Sequence, residues 1–423
     1  MAQPPYPRPD PRRGLRRATA LVRRVVGQTA GRRTGRSVIP GRTDVAVVGA
    51  GIVGCLVARE ITARAPRASV VLLDRDTAGT GASRRSAGLH CPRGATERVR
   101  RMTRYSQDYY AGLKADTPEL PIHPVPMSIV ASPTSAPRLR EIYLDSAELT
   151  RTQAPFDHEP TGRPDLCLPE HAQVWDCRGG QYADVYALVR DLTRELRSRV
   201  TLREGVRVDA VRTIGRRDPA AENPGADEDD ARAGHVELRL GTGETLIAGR
   251  VVLAPGPWLA DPAWRELLAP LGARVKRIVA LHIDRLPTRA DRAVVFQDED
   301  AFLLPLHQPG HWLFSYTCTT WDVDPDERVD GLSSEDVDQA LASLRRHAPE
   351  SARRCVSGRV FCDAYSVTGE PEVRVLDGGH VVFAGAANGS GYRLAPAIAA
   401  EAADLLHLPP KPPHVPAKQR SRS

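Results

Sequence analysis

The 423-residue chain lacks the features of a membrane, disulfide-rich or zinc-binding protein. No apolar run approaches the roughly 18 residues that a membrane-spanning helix needs. The seven cysteines are scattered without a C-x-x-C pair, so neither a disulfide framework nor a zinc site is predicted. Internal repeats are also absent. We therefore expect reduced thiols, no bound metal and a cytoplasmic location.

The excess of positive charge is confined to the N-terminus. The formal net charge is +7, but residues 1–43 hold eleven arginines and a single acid, Asp10, so the rest of the chain is slightly acidic. A secretory signal is not predicted, because the apolar residues 20–22 are followed at once by two arginines. Residues 1–43 and 409–423 are predicted to be disordered tails, and nucleic-acid binding by the arginine-rich arm is a less favoured alternative.

A β-α-β unit is predicted from Asp44 onward. An apolar strand runs into a turn containing Gly49, Gly51 and Gly54, a helical pattern follows, and a second apolar strand ends at Asp74. In a G-x-G-x-x-G turn the glycines allow a tight turn, a close approach of pyrophosphate and close helix packing. An acid about twenty residues later can hold the adenosine ribose hydroxyls. The pattern predicts a dinucleotide site without separating NAD from FAD.

Later segments separate these two cofactors. They are two runs of small residues and three shorter landmarks, at residues 79–89, 179–180, 251–258, 365–371 and 385–396. In this order they resemble the superfamily of glycine oxidase, sarcosine oxidase and D-amino acid oxidase. The resemblance covers most of residues 44–408 and implies FAD as the cofactor.

The resemblance also implies a fold with two parts. One is an α/β FAD-binding domain of the Rossmann type, similar to glutathione reductase, and the other is an antiparallel-β substrate domain. The FAD-binding domain is expected to be discontinuous, with segments 44–94, 176–258 and 355–408. The substrate domain is expected to comprise residues 95–175 and 259–354.

Residues from all three FAD-binding segments are expected to hold the cofactor. By resemblance they are Gly49, Gly51, Gly54, Asp74, Arg75, Ser83, Ser86, Ala87, Gly88, Val206, Ala254, Gly256, Gly385, Asn388, Gly389, Gly391, Tyr392 and Arg393. A last helix, predicted to begin near Leu394, would point its positive end at the flavin N1 and C2 carbonyl. His90 and Cys91 leave a covalent link to FAD open, but noncovalent binding is expected.

Arg393 is also the first candidate for substrate binding. Sarcosine oxidases carry a basic residue at the equivalent place in G-x-G-[YF]-[KR]-L, and a guanidinium can hold a carboxylate by two hydrogen bonds. A structural ion pair is the alternative. Tyr365 and His307 are further candidates on the catalytic side, although packing explains each of them nearly as well.

The predicted reaction is the oxidation of an amine or amino acid that carries a carboxylate. A hydride would pass to flavin N5, and molecular oxygen would be the acceptor. The first alternative is a dehydrogenase that passes electrons to a protein or quinone, because strands Phe302–His307 and His311–Tyr316 lack the lysine that some oxidases of this family use with oxygen. A second alternative is a non-catalytic flavoprotein or a nucleic-acid-binding module that uses the arginine-rich arm.

Overall fold

The computed structural model describes residues 41–152, 166–214, 234–327 and 331–410. In chain order, the strands are β1 (Arg42–Val48), β2 (Val70–Leu73), β3 (Leu89–His90), β4 (Ile122–Pro124), β5 (Met127–Ala131), β6 (Thr150–Arg151), β7 (Gln173–Cys177), β8 (Gln181–Ala183), β9 (Thr201–Arg203), β10 (Val208–Ile214), β11 (His235–Leu240), β12 (Thr245–Leu253), β13 (Arg274–Ile283), β14 (Ala293–Phe296), β15 (Ala301–Leu306), β16 (His311–Trp321), β17 (Cys355–Tyr365), β18 (Glu372–Leu376) and β19 (Val381–Gly385).

The α-helices are α1 (Ile52–Arg64), α2 (Ala82–Arg85), α3 (Glu97–Asp116), α4 (Leu139–Ile142), α5 (Val185–Leu196), α6 (Arg265–Leu268), α7 (Ser334–His347), α8 (Pro349–Arg353) and α9 (Gly391–Leu405). Strand β1 begins two residues before the predicted Asp44. Residues 42 and 43, which were predicted to be part of the N-terminal tail, therefore belong to β1. Positions 41 and 409–410 are also described, and the rest of both predicted tails lies outside the described residues.

The first sheet has a parallel centre in the order β19-β12-β1-β2-β9, extended by the antiparallel strands β10, β11 and β18. Strand β1 is buried on both faces, as is typical of parallel strands covered on both sides. Val48 is level with Leu73 of β2 and with Leu253 of β12, so the carboxyl ends of three strands meet at one edge. In open α/β sheets this is the edge where ligands bind.

Helices α1, α3, α5 and α9 share one buried core with the first sheet. Helix α9 begins at Gly391, three residues before the predicted Leu394. Pro396 lies inside this helix, and proline cannot donate the hydrogen bond that the carbonyl of Tyr392 would otherwise accept. The hydroxyl of Tyr110 on α3 donates to that carbonyl at 2.7 Å instead. A tertiary contact therefore allows the helix to begin earlier than its sequence indicates.

The second sheet has the order β17-β13-β16-β15-β14-β5-β7-β6. All its neighbouring strands are antiparallel except β5 and β14, which are parallel. These two strands come from distant parts of the chain, so no hairpin fixes their relative direction. One face packs against Ala87, Leu89 and Cys91, and the other is covered by α7 and α8.

The predicted fold class is confirmed, with the parallel pair of the second sheet as its one departure. The domain boundaries stay a prediction. All seven cysteines are free thiols. In the described ranges, no helix is long and apolar enough to cross a membrane, and no group of three or more His, Cys, Asp or Glu side chains could hold a metal ion.

Candidate functional site

A cleft of about 1300 Å³ opens at the carboxyl ends of β1, β2 and β12. This volume includes space open to solvent, and the lining comes from all three segments predicted for the FAD-binding domain. Most of the predicted cofactor ligands line it, namely Gly49, Gly51, Asp74, Arg75, Ser83, Ser86, Val206, Ala254, Gly256, Gly385, Gly389, Gly391 and Tyr392.

The glycine turn after β1 is packed too closely for side chains. Gly49 has a φ of +99°, and a Cβ there would lie 2.3 Å from the carbonyl oxygen of Ala254. A Cβ on Gly54 would lie 1.8 Å from the carbonyl oxygen of Gly49. Gly54 thus supports the turn from beneath and does not line the cleft, a role that its motif predicts.

The N-terminus of α1 lies at this turn and has no capping side chain of its own. The hydroxyl of Ser83 accepts a hydrogen bond from the backbone N–H of Ile52 at 2.9 Å. No acid occupies the first turn of the helix. The positive helix end, with its backbone donors, therefore suits a pyrophosphate.

Asp74 ends β2 beside the glycine turn. Its Oδ2 accepts from the N–H of Ala50 at 2.7 Å, and its Oδ1 accepts from the N–H of Asp76 at 2.9 Å. Burial raises the pKa of Asp74, and these two hydrogen bonds oppose that shift. Each carboxylate oxygen keeps a second lone pair, which is available to a ribose hydroxyl.

Three side chains interact beside Asp74, and two of them, Arg75 and Trp258, line the cleft. Arg75 Nη1 donates to Asp326 Oδ2 at 2.9 Å, and Trp258 Nε1 donates to Asp326 Oδ1 at 2.7 Å. The Arg75 guanidinium lies 4.5 Å from the centre of the Trp258 ring. Asp326 was missed by sequence reasoning, since it is 251 residues from Arg75 and belongs to no motif. We call these three residues the Arg75 cluster.

The opposite end of the cleft is formed by the turn between β19 and α9. Ala386, Asn388 and Gly389 all have positive φ angles, of 44°, 52° and 73°. The side chain of Asn388 accepts from the N–H of Ser366 at 3.1 Å and donates to the carbonyl of Ala386 at 3.1 Å. Asn388 therefore fixes the shape of the turn and does not line the cleft. Gly391 and Tyr392, at the start of α9, do line it.

Ala87, Gly88 and Arg393, which were predicted to bind the cofactor, also lie outside the cleft lining. Ala87 packs against the second sheet. Gly88 has a φ of +68°, and a Cβ there would lie 2.0 Å from the carbonyl oxygen of Ala183. These contacts give Ala87 and Gly88 packing roles behind the cleft.

Arg393 lies beside a second arginine. Its Nη1 donates to the carbonyl of Arg93 and, at 2.9 Å, to Thr103 Oγ1, while Nη2 donates to Ser390 Oγ at 2.9 Å. Burial lowers the pKa of Arg393 to about 10, and the positive charge of Arg93 adds to that shift. Sequence reasoning missed Arg93. Its position shortly after the predicted flavin loop was a signal, but arginine is abundant in this chain.

His307 and Tyr365 also lie outside the cleft lining. His307 Nε2 is 2.9 Å from the carbonyl oxygen of Thr288, and its Nδ1 is 3.3 Å from the hydroxyl of Tyr182. The ring of Tyr365 packs edge-on against Trp321, with 5.3 Å between ring centroids. Burial raises the pKa of Tyr365, and the nearby Asp363 adds to the shift.

One carboxylate on the cleft wall was not predicted at all. Asp363 lies on β17 and lines the end of the cleft near Gly389. Burial raises its pKa to about 6. An isolated aspartate in a strand carries no sequence signal that distinguishes it from a surface residue.

Comparison with known proteins agrees with this architecture. Residues 44–405 match the family described as FAD dependent oxidoreductase, or DAO. Among solved structures, the chain is similar to NikD, an unusual amino acid oxidase essential for nikkomycin biosynthesis, with 19% identity, a TM-score of 0.67 and coverage of 86% of this chain and 94% of NikD.

Two further structures share the fold. Glycine oxidase from Geobacillus kaustophilus has 18% identity, a TM-score of 0.65 and coverage of 87% and 95% of the two chains. L-proline dehydrogenase from P. horikoshii has 14% identity, a TM-score of 0.69 and coverage of 88% and 96%. A search of curated proteins finds no significant match.

The family match and the shape of the cleft lead to one assignment. A turn without room for side chains, a carboxylate that can accept from ribose hydroxyls and a second helix end at the far side suit a long dinucleotide. Because the match extends over residues 44–405, the chain belongs to the family of FAD-dependent oxidoreductases named DAO, and FAD is its cofactor.

Proposed function

We propose that this enzyme oxidises an amine or amino acid that carries a carboxylate, and that molecular oxygen reoxidises it. The observation that carries the proposal is the closeness of the positive charges of Arg93 and Arg393 beside the start of α9, where Arg393 donates to the main-chain carbonyl of Arg93. When bound, FAD supplies a hydride acceptor, the N5 atom, for the carbon next to the substrate nitrogen. The protein's part is to bind the carboxylate, exclude water and orient the amine.

The arginine pair suits an anion. The hydrogen bonds of Arg393 go to uncharged oxygen atoms, and Arg93 Nη1 lies 3.5 Å from the amide oxygen of Gln297. A guanidinium has five N–H donors, so Arg393 keeps two that these bonds do not use. A substrate carboxylate between the two groups would neutralise like charges that now repel each other, as the lowered pKa of Arg393 indicates.

The second sheet could provide an apolar environment for the substrate amine. The face that packs against residues 87–91 is built from apolar side chains such as Ile278, Leu304 and Phe361. An uncharged amine is the form that can give up a hydride, and a dry apolar wall favours that form. The similar structures described as an amino acid oxidase, a glycine oxidase and a proline dehydrogenase support the same substrate class.

Oxygen as the acceptor is supported by Lys276. This lysine is on β13, outside the two strands where a lysine was expected and not found. It is paired directly with Asp363 of β17, so the two side chains project from the same face of the sheet. Its Nζ lies 4.8 Å from the centre of the Trp321 ring and 5.6 Å from that of Tyr365. A nearby cation stabilises the negative charge that develops as oxygen is reduced.

The test is anaerobic reduction of the FAD-bound enzyme by matched pairs of compounds. Each pair consists of an amino acid or N-alkyl amino acid and the same amine without its carboxylate. We expect loss of flavin colour with at least one amino acid and a much slower loss with its partner. Admission of air should restore the colour rapidly. Slow restoration would favour the dehydrogenase, and failure of every amine, while dithionite still bleaches the flavin, would contradict the substrate class.

Two variants locate the carboxylate. A hydrogen bond to a charged group contributes about 1.5–3 kcal/mol, so Arg93→Met should lower kcat/KM for the amino acid by roughly 10- to 100-fold. It should leave the rate with the decarboxylated amine unchanged. Arg101→Met is the matched control, because Arg101 is an exposed arginine of α3 that pairs with Glu97 at 3.7 Å. Equal losses for both compounds in Arg93→Met would contradict carboxylate binding.

A further inference from the structure

Asp363 lies at the end of the cleft that remains once the nucleotide half of FAD is placed. Asp74 suits the adenosine ribose, and the N-terminus of α1 suits the pyrophosphate. The isoalloxazine would therefore lie at the opposite end, where Asp363, Gly389 and Tyr392 form the wall. The Oδ2 atom of Asp363 would be 3.8 Å from a Cβ on Gly389.

The surroundings of Asp363 contrast with those of Asp74. Asp74 accepts two backbone hydrogen bonds, whereas in the described ranges no donor lies within hydrogen-bond distance of the Asp363 carboxylate. A half-buried carboxylate without a donor is costly to keep ionised. Its charge can therefore change with little loss of protein contacts.

The ionisable groups around Asp363 are few. Tyr365 is on the same strand, Lys276 is its partner on β13, and Tyr392 is on α9. The turn 386–390 contributes none. The Lys276 ammonium lies over the rings of Trp321 and Tyr365, and burial raises the pKa of Tyr392 above its usual range. Near neutral pH, Asp363 is the group in this set that can exchange a proton.

Reduction of FAD by two electrons and one proton adds a negative charge to the isoalloxazine. Two negative charges in one desolvated cleft repel each other strongly, because the interior screens charge poorly. We propose that Asp363 takes up a proton from solvent when the bound flavin is reduced and gives it up when the flavin is reoxidised. Its charge is thereby linked to the redox state of the enzyme.

The balance of the cycle fits the proposed acceptor. Reduction leaves two electrons and one proton on the flavin and one proton on Asp363. Reoxidation by oxygen passes two electrons and two protons to oxygen, which becomes hydrogen peroxide, and returns the flavin and the carboxylate to their starting states. Burial already raises the pKa of Asp363 to about 6, so an additional negative charge brings its protonation into the neutral range.

The experiment measures the midpoint potential of the FAD-bound enzyme from pH 5 to pH 9, with an electrode and mediator dyes as the source of electrons. Wild type and Asp363→Asn should agree at pH 5, where Asp363 is protonated in both redox states. At pH 8.5 the potential of Asp363→Asn should be higher, with a reduction equilibrium at least tenfold more favourable, which is about 30 mV for a two-electron couple.

Two controls separate this role from a structural one. Asp363→Glu should keep the pH dependence of wild type, and Asp322→Asn should not alter it, since Asp322 is an exposed carboxylate paired with Arg274. Parallel potential curves for wild type and Asp363→Asn across the whole range would overturn the proposal. If Asp363→Asn fails to retain FAD, Asp363→Ser serves as the neutral variant.

Wild type alone also decides the question. Between pH 6 and pH 8, the wild-type enzyme should take up more than one proton for each flavin that is reduced. The absorbance of the reduced flavin shows how many of these protons are on the ring itself. Uptake of a single proton throughout would overturn the proposal. Because electrons come from an electrode, this test requires FAD but no amine. A wrong substrate class would therefore leave its result unchanged.

Discussion

The two ends of the cleft are built in different ways. At the nucleotide end, Asp74 accepts two backbone hydrogen bonds, Ser83 caps α1, and the Arg75 cluster holds its three side chains together. Toward the end where we place the isoalloxazine, the flavin end, the Asp363 carboxylate accepts no hydrogen bond from any described residue, and Arg93 and Arg393 lie close together outside the cleft lining. The first end binds through groups that are already satisfied. In our proposals, the charges at the second end serve the substrate and the reduced flavin.

Among the tests of this contrast, Gly54→Ala is expected to have the largest effect. A single added Cβ would lie 1.8 Å from the carbonyl oxygen of Gly49, so the backbone must move at the nucleotide end. Overpacking of this kind costs about 1–3 kcal/mol, and we expect the upper part of that range together with loss of FAD on purification. Flavin absorbance and urea unfolding measure the two effects.

The matched control for that variant is Gly112→Ala in α3. A Cβ on Gly112 would have no neighbour within 4 Å. The flavin content should be unchanged, and helix stability should rise by up to about 1 kcal/mol. If Gly54→Ala retains a full complement of FAD, the nucleotide end is less rigid than its contacts imply.

The next test concerns the flavin end in the absence of FAD. Burial raises the pKa of Asp363 from 3.8 to about 6 on folding, so ionisation of this carboxylate destabilises the folded protein progressively between about pH 4 and pH 6 and fully above that range. Asp363→Asn cannot ionise. At pH 8 the variant apoprotein should be more stable than wild type by roughly 2–3 kcal/mol, and the difference should vanish below pH 4.

Urea unfolding at pH 4, 6 and 8 measures this effect. Asp322→Asn is the control, because a hydrogen bond from Arg274 lowers the pKa of that exposed carboxylate. Its removal should therefore give no gain at pH 8. A gain that does not depend on pH in Asp363→Asn would show that packing, and not charge, limits stability at this position.

The smallest effect is expected from the Arg75 cluster. Asp326→Asn weakens a partly exposed ion pair of the kind that contributes about 0.2–1 kcal/mol, so the dissociation constant of FAD should rise only by roughly two- to fivefold. Fluorescence titration at low and high salt should show that the difference shrinks as salt rises. Asp322→Asn should leave FAD binding unchanged. A large loss in Asp326→Asn would mean that the nucleotide end depends on side chains as much as the flavin end does.

The same contrast explains which site residues could be predicted from the sequence and which could not. Gly49, Gly54 and Asp74 form one short β-α-β unit, so spacing alone predicts their arrangement. The fold class was also predicted, since ordered landmarks extend over most of the chain. Arg93, Asp326 and Asp363 were missed because each reaches the site through pairing or packing between distant segments. No local pattern records such pairing.

The start of α9 carries a consequence for how the enzyme matures. The carbonyl of Tyr392 receives its hydrogen bond from Tyr110, which is 282 residues earlier in the chain. The glycine turn, Ser83 and Asp74 lie within one contiguous stretch of sequence, but the start of α9 is complete only after α3 has docked on α9. We therefore expect newly made protein to capture the adenosine half of the cofactor first and to enclose the coloured ring last.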